Sequence, residues 1–115
     1  MELAAEGLDI RWERLRRTDS GIVAADLTIS VGGAAVKYNV YLRNKAIELE
    51  FQSTDRSRVE LAARLLRLVG VNVEVKRVKD EDKWYVYAST DMLAAGREEL
   101  RKALAEIVKA ARGNG

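Results

Sequence analysis

The sequence predicts a single α+β domain over 1–115: an antiparallel sheet, in the order ββββ-α-ββ-α, with two helices packed on one side. Three observations carry this. Apolar residues recur at every second position through most of the first half. The period changes to 3.6 after Ser53-Thr54-Asp55 and again after Thr90-Asp91. Short polar turns separate the first four alternating segments, which makes consecutive strands antiparallel neighbours.

From 8 to 17, Leu8, Ile10 and Trp12 alternate with Asp9, Arg11 and Glu13, a strand with one buried face. From 22 to 31 the inward set is Val23, Ala25, Leu27, Ile29 and Val31, and Gly32-Gly33 supplies a tight turn. Val36, Tyr38, Val40 and Leu42 form one face of 34–43, with Lys37, Asn39, Tyr41 and Arg43 opposite. Asn44-Lys45 turns the chain into 46–52, where Ile47, Leu49 and Phe51 point inward and Glu48 and Glu50 outward. Thr54 or Asp55 then caps a helix that runs to about Val69 and stops at Gly70. Val71, Val73 and Val75 predict a fifth strand, and Trp84, Val86 and Ala88 a sixth across the polar loop Lys79-Asp80-Glu81-Asp82. A long helix from about Asp91 to Ala111, capped by Thr90 or Asp91, closes the pattern. Two amphipathic helices need an apolar partner, and one sheet face supplies it; the other face stays open to solvent or ligand.

Composition narrows the chemistry. The 48% hydrophobic and 33% charged residues are those of a globular chain rather than a disordered one. No apolar run approaches the roughly 18 to 20 residues of a membrane span. Met1-Glu2-Leu3 lacks the basic opening of a signal peptide, so a cytoplasmic location is expected. Cysteine, histidine and proline are absent. That removes disulfides, thiolate nucleophiles, the usual donors of zinc, haem and iron–sulfur sites, and the commonest general base. No cofactor, metal or catalytic residue is expected, although carboxylates could hold magnesium. A single glutamine, Gln52, and the abundance of Glu, Arg and Lys suit a heat-adapted protein; the lack of proline points the other way. The net charge is only +2, without a basic tail, so a polyanion partner would need cations gathered by the fold.

No enzyme constellation is present. Gly32-Gly33 lies in a hairpin with no helix behind it, unlike a phosphate-binding loop. The cluster Asp80-Glu81-Asp82 reads as a solvated hairpin tip, and Glu48 and Glu50 as cross-strand partners of Lys37 and Arg43. The aromatic residues say more. Tyr38, Phe51 and Trp84 fall in the buried phase, whereas Tyr41, Tyr85 and Tyr87 fall in the other, beside Lys37, Arg43 and Lys83. Rings and cations on one non-core side suit single-stranded nucleic acid, whose bases stack and whose phosphates need positive charge. Plain cross-strand packing on a wet face is the alternative. A second basic group surrounds Trp12: alternation puts Arg14 and Arg16 on its side and Arg11 and Arg17 on the other. These arginines suit phosphate, or else a charge-rich edge strand. Trp12 itself could continue the core or stand at its rim.

The stretch Lys83-Trp84-Tyr85-Val86-Tyr87-Ala88-Ser89-Thr90-Asp91, followed by Leu93-Ala94-Ala95-Gly96-Arg97-Glu98-Glu99-Leu100, resembles the C-terminal block of the Thermo-DBP-related single-stranded DNA-binding proteins of hyperthermophilic archaea. The match covers about a third of the chain well. The resemblance implies a helix-packed sheet with a cleft that holds single-stranded DNA, or RNA, with little sequence preference. It assigns Trp84, Tyr85 and Tyr87 to the cleft; Arg11, Trp12, Arg14, Lys37, Tyr41 and Arg43 join them from the surface reading above. Full-length members dimerise through a leucine-zipper extension; this sequence ends Gly113-Asn114-Gly115 without heptads. A protein-interaction or homodimeric module is the alternative, its C-terminal helix offering Ala94, Ala95 and Gly96 for close approach.

Overall fold

A computed structural model of the protein describes residues 7–113; the Met1-Glu2-Leu3 opening and the Asn114-Gly115 end lie outside them. Among these residues the strands are β1 Asp9–Arg17, β2 Val23–Val31, β3 Ala34–Arg43, β4 Ala46–Ser53, β5 Lys76–Arg77 and β6 Trp84–Ala88. They form one antiparallel sheet in the spatial order β1-β2-β3-β4-β6-β5. The helices are α1 Arg56–Leu68, α2 Thr90–Ala94 and α3 Glu98–Gly113. No helix among the described residues is long and apolar enough to cross a membrane.

Alternation sorts the strands as the sequence requires. Leu27 and Ile29 of β2, Val36, Tyr38 and Val40 of β3, Leu49 of β4 and Val86 of β6 are all buried. Over them lie Val59, Ala62 and Leu66 of α1 and Leu100, Leu104 and Ile107 of α3. Each large apolar side chain taken fully out of water there contributes roughly 1.5–3 kcal/mol. Tyr38 is the largest of the fully buried side chains. Its ring meets Phe51 edge-on with centroids 6.0 Å apart, and its hydroxyl donates to the Ala62 carbonyl at 2.6 Å. That bond ties β3 to α1 and satisfies a hydroxyl that burial would otherwise strand.

The ends of α1 are set by local chemistry. Asp55 is the N-cap, accepting from the Ser57 amide at 3.0 Å and from the Ser57 hydroxyl at 2.7 Å. At the other end Gly70 takes φ +88°, and the bonds from Gly70 N to Arg67 O and from Val71 N to Leu66 O close a Schellman motif.

Four expectations need correction. First, the C-terminal helix is broken: α2 ends at Ala94 and α3 begins at Glu98, with Gly96 between them. The Arg97 amide donates to Val69 O at 2.7 Å, docking the junction against the end of α1. A Cβ at Gly70 would lie 3.2 Å from Gly96 Cα, so the two glycines permit this approach. Gly96 is therefore already used inside the chain, and of the small-residue trio only Ala94 and Ala95 stay exposed.

Second, Val71, Val73 and Val75 lie in no strand. Val71 and Val73 are buried, and Arg67 Nε donates to Val73 O at 3.1 Å. Pairing with β6 is confined to Lys76 with Tyr85 and Arg77 with Trp84. Alternate burial alone gave those valines their strand-like pattern.

Third, β1 carries a bulge: Glu13 stands opposite Asp26 and Arg16 opposite Ala24, so two residues face Ala25. Arg14 sits there at φ 58°. The extra residue reverses the phase. Arg16 joins the face of Ala24 and Tyr41, and Arg17 the face of Val23 and Leu42, the reverse of simple alternation.

Fourth, the N-cap before α2 is Ser89, not Thr90 or Asp91, and it makes no side-chain capping bond. Thr90 instead completes β4: its hydroxyl donates to Ile47 O at 3.0 Å and accepts from Ile47 N at 2.9 Å.

The glycine contact is testable. A Cβ at Gly96 would lie 2.9 Å from Leu100 Cδ2 and 3.1 Å from the Leu93 carbonyl oxygen. Gly96→Ala should destabilise the fold by about 1–3 kcal/mol through overpacking. Gly33→Ala, at an open position, should stay within about 0.5 kcal/mol of the parent. Urea denaturation of the variants checks both values.

Candidate functional site

Among the described residues every helix packs on one side of the sheet, and none covers the opposite face. Strand register assembles it. Arg11, Glu13 and Arg16 of β1 stand against Thr28, Asp26 and Ala24 of β2, which stand against Lys37, Asn39 and Tyr41 of β3. Tyr41 is paired with Glu48, and Glu50 with Tyr87. Lys76, a residue the sequence reading did not select, lies opposite Tyr85. Tyr87 is 41% exposed, while Tyr41 and Tyr85 are half-buried.

Two hollows flank Tyr87. One, of about 260 Å³, is lined by Tyr41, Arg43, Glu48, Glu50 and Tyr87, with Thr18 and Ser20 at its rim. The other, of about 430 Å³, lies between Tyr85 and Tyr87 on one side and Val73, Glu74 and Lys76 on the other, where β6 has lost its neighbour.

The electrostatics of this face are largely self-contained. Tyr87 donates its hydroxyl to Glu48 Oε2 at 2.8 Å, and Arg43 Nε donates to Glu48 Oε1. The Tyr87 bond, followed by that of Arg43, holds the Glu48 carboxyl below its ordinary range; the same bond pushes the Tyr87 phenol up. Tyr41 donates to Glu50 Oε1 at a long 3.5 Å, and its pKa is raised, first by burial and then by Glu50. The Arg43 guanidinium lies 5.7 Å from the Tyr41 ring centroid, within cation–π range.

The sequence-selected cations sit on this face and are paired. Arg11 meets Asp9 at 2.6 Å and Lys37 meets Glu13 at 3.7 Å, rather than Glu48 or Glu50. Arg14 and Arg16 converge on Asp26 at 3.4 and 3.2 Å. Asp26 is only 4% exposed, so the two guanidiniums compensate a charge that the bulge buries.

The tryptophans lie elsewhere. Trp12 pairs with Leu27 on the helix side and donates Nε1–H to Glu106 Oε1 of α3 at 3.2 Å. Trp84 is half-buried against the core at the edge beside Arg77. Both stand on the face opposite Tyr41, Tyr85 and Tyr87, because strand phase allows one side or the other. The site residues therefore fall into one group of rings and cations, Arg11, Arg14, Lys37, Tyr41, Arg43, Tyr85 and Tyr87, and two tryptophans behind the sheet. Among the described residues no cluster of His, Cys, Asp or Glu could hold a metal, and Asp82 of the loop pairs with Arg77 at 3.4 Å.

The chain matches no protein-family model, no curated protein and no solved structure.

Glu48 gives a pH prediction. Its native pKa lies below the ordinary 4.5, so the unfolded chain takes up this proton first as pH falls. The carboxylate's stabilising contribution is full above pH 4.5 and disappears as pH drops through the native value. Glu48→Gln should flatten the loss of stability below pH 4.5 while leaving its slope above pH 6 unchanged. Thermal unfolding across pH 3 to 7 measures the difference.

Proposed function

We propose that the helix-free sheet face binds single-stranded nucleic acid, DNA or RNA, as a binding module without a catalytic step. The observation that carries this reading is the gathering of Tyr41, Tyr85 and Tyr87 on one uncovered face, with hollows on both sides of Tyr87. A base stacked on such a ring contributes roughly 1–3 kcal/mol, whatever its identity. The resemblance of 83–100 to the Thermo-DBP-related proteins supports the same reading. Trp12 and Trp84 act here as packing residues that hold the sheet against α3 and the core edge.

The carboxylates shape the mode of binding. Glu48 and Glu50 stand between the tyrosines of β3 and β6 and repel phosphate. They accept hydrogen bonds, however, from exocyclic amines such as that of cytosine. Arg11, Arg14, Arg16, Lys37 and Arg43 already hold carboxylates, so a phosphate gains from them only by exchanging partners. Bases thus lie inward against the rings, with the backbone toward the rim.

Three outcomes follow for fluorescence anisotropy of labelled oligonucleotides. Salt dependence should be shallow, with a log–log slope of about −0.7 to −2, since only one to three phosphates are neutralised. Oligo-dC or oligo-dA should bind several-fold tighter than oligo-dT, which lacks an exocyclic amine. Tyr41→Ala with Tyr87→Ala should weaken binding about tenfold or more, the loss of one or two stacked bases. Glu98→Ala on α3 should change nothing. Equal affinity for duplex and single strand, or indifference to the tyrosine changes, would refute the reading.

A further inference from the structure

Of the cations that form no salt bridge, Lys76 stands on the tyrosine face opposite Tyr85, whereas three others gather away from it. Among the described residues Arg17, Lys45 and Arg112 form no salt bridge. They meet on the helix side of the sheet, around a hollow of about 660 Å³. The bulge in β1 turns Arg17 to this side, the β3–β4 turn supplies Lys45, and the last turn of α3 supplies Arg112.

The floor between them is apolar: Val23, Leu42, Ile47, Val108 and Ala111 line it, all half-buried. Among the described residues no carboxylate lines it. A smaller hollow of about 190 Å³ continues it toward Leu15, sharing Arg17, Val23 and Ala111. Here α3 borders the floor through Val108, Ala111 and Arg112.

We infer that this groove binds a small amphiphilic anion, an aliphatic tail carrying a carboxylate or similar head. The tail takes the apolar floor, and the head takes Arg17, Lys45 and Arg112. The volume lies within the several hundred to about 1,000 Å³ of small-molecule sites. Charge decides among occupants. A second copy docked on this groove by a two-fold axis would set the same cations against each other. A neutral apolar segment would cover the floor and leave the rim without counter-charge. The negative end of the α3 dipole opposes an anion, and Arg112 in its last turn offsets that locally.

The test is titration calorimetry of the full chain with dodecanoate below its micellar concentration, alongside butanoate and dodecyltrimethylammonium. The expected result is one saturable dodecanoate per chain, butanoate at least tenfold weaker, and no saturable binding of the cation. Replacing Arg17, Lys45 and Arg112 together by Ala should lower dodecanoate affinity at least tenfold with the circular dichroism spectrum unchanged. Val108→Ser, a milder change to the floor, should weaken it several-fold, and Tyr41→Ala should leave it intact. Equal binding of dodecyltrimethylammonium, or full binding by the triple variant, overturns the inference. So does a shift from dimer to monomer on the triple change without dodecanoate, which assigns the groove to a second copy. Displacement of dodecanoate by an oligonucleotide overturns it too, by making these cations part of the nucleic-acid path.

Discussion

A sheet of alternating strands can hide only the side residues that something covers, and here all the cover comes from one direction. Leu27, Ile29, Tyr38, Val40, Leu49 and Val86 require α1 and α3 above them, and the Tyr38–Ala62 bond fixes where α1 sits. Once that is settled, no helix among the described residues covers the tyrosine side. The uncovered face is thus a by-product of how the core is closed, and its polar residues must satisfy one another or a ligand. They largely satisfy one another: Asp26 with two arginines, Glu48 with Arg43 and Tyr87, Glu13 with Lys37.

That mutual satisfaction separates two kinds of surface on one small protein. On the tyrosine face most charges are paired locally, Lys76 at the β5 edge excepted, and the ring faces of the tyrosines are left open. At the far end of the helix side, Lys45, Arg112 and Arg17, the last donating to the Gly21 carbonyl at 3.0 Å, form no salt bridge among the described residues, and the surface between them is apolar. The first suits flat, polar, stackable partners; the second suits a greasy anion. One bulge contributes to both, sending Arg16 to one side of the sheet and Arg17 to the other.

Much of this was legible in the sequence, because period-2 alternation reports burial directly. The four-strand meander and the outward phase of Tyr41, Tyr85 and Tyr87 followed from it, while α1 followed from the 3.6 period, with Thr54 or Asp55 as its cap and Gly70 as its stop. What escaped reading were features without a period. The bulge lies in a run, Glu13 to Arg17, where charged residues and one leucine give alternation nothing to register against. The break at Gly96 was hidden because helical spacing resumes on both sides of it, and its cause lies in a contact with Gly70, distant in sequence. Residues 71–75 show burial that alternates without a ladder, a pattern that side chains alone cannot distinguish from a strand. Whether a cation meets a carboxylate or stands alone depends on register, so Lys37 found Glu13 and Arg17 found no acid.

The bond from Trp12 to Glu106 spans 94 residues, joining the first strand to the last helix. The hairpins of β1 to β4 close on neighbours in the chain and can form early. The apolar underside of β1 must wait until α3 exists, and α3 follows every other described element in the chain. For that interval Ile10 and Trp12 lack the helix that finally shields them. Docking of β1 on α3 thus closes a long loop, and until it forms the apolar side of the meander is the surface open to aggregation or to a chaperone.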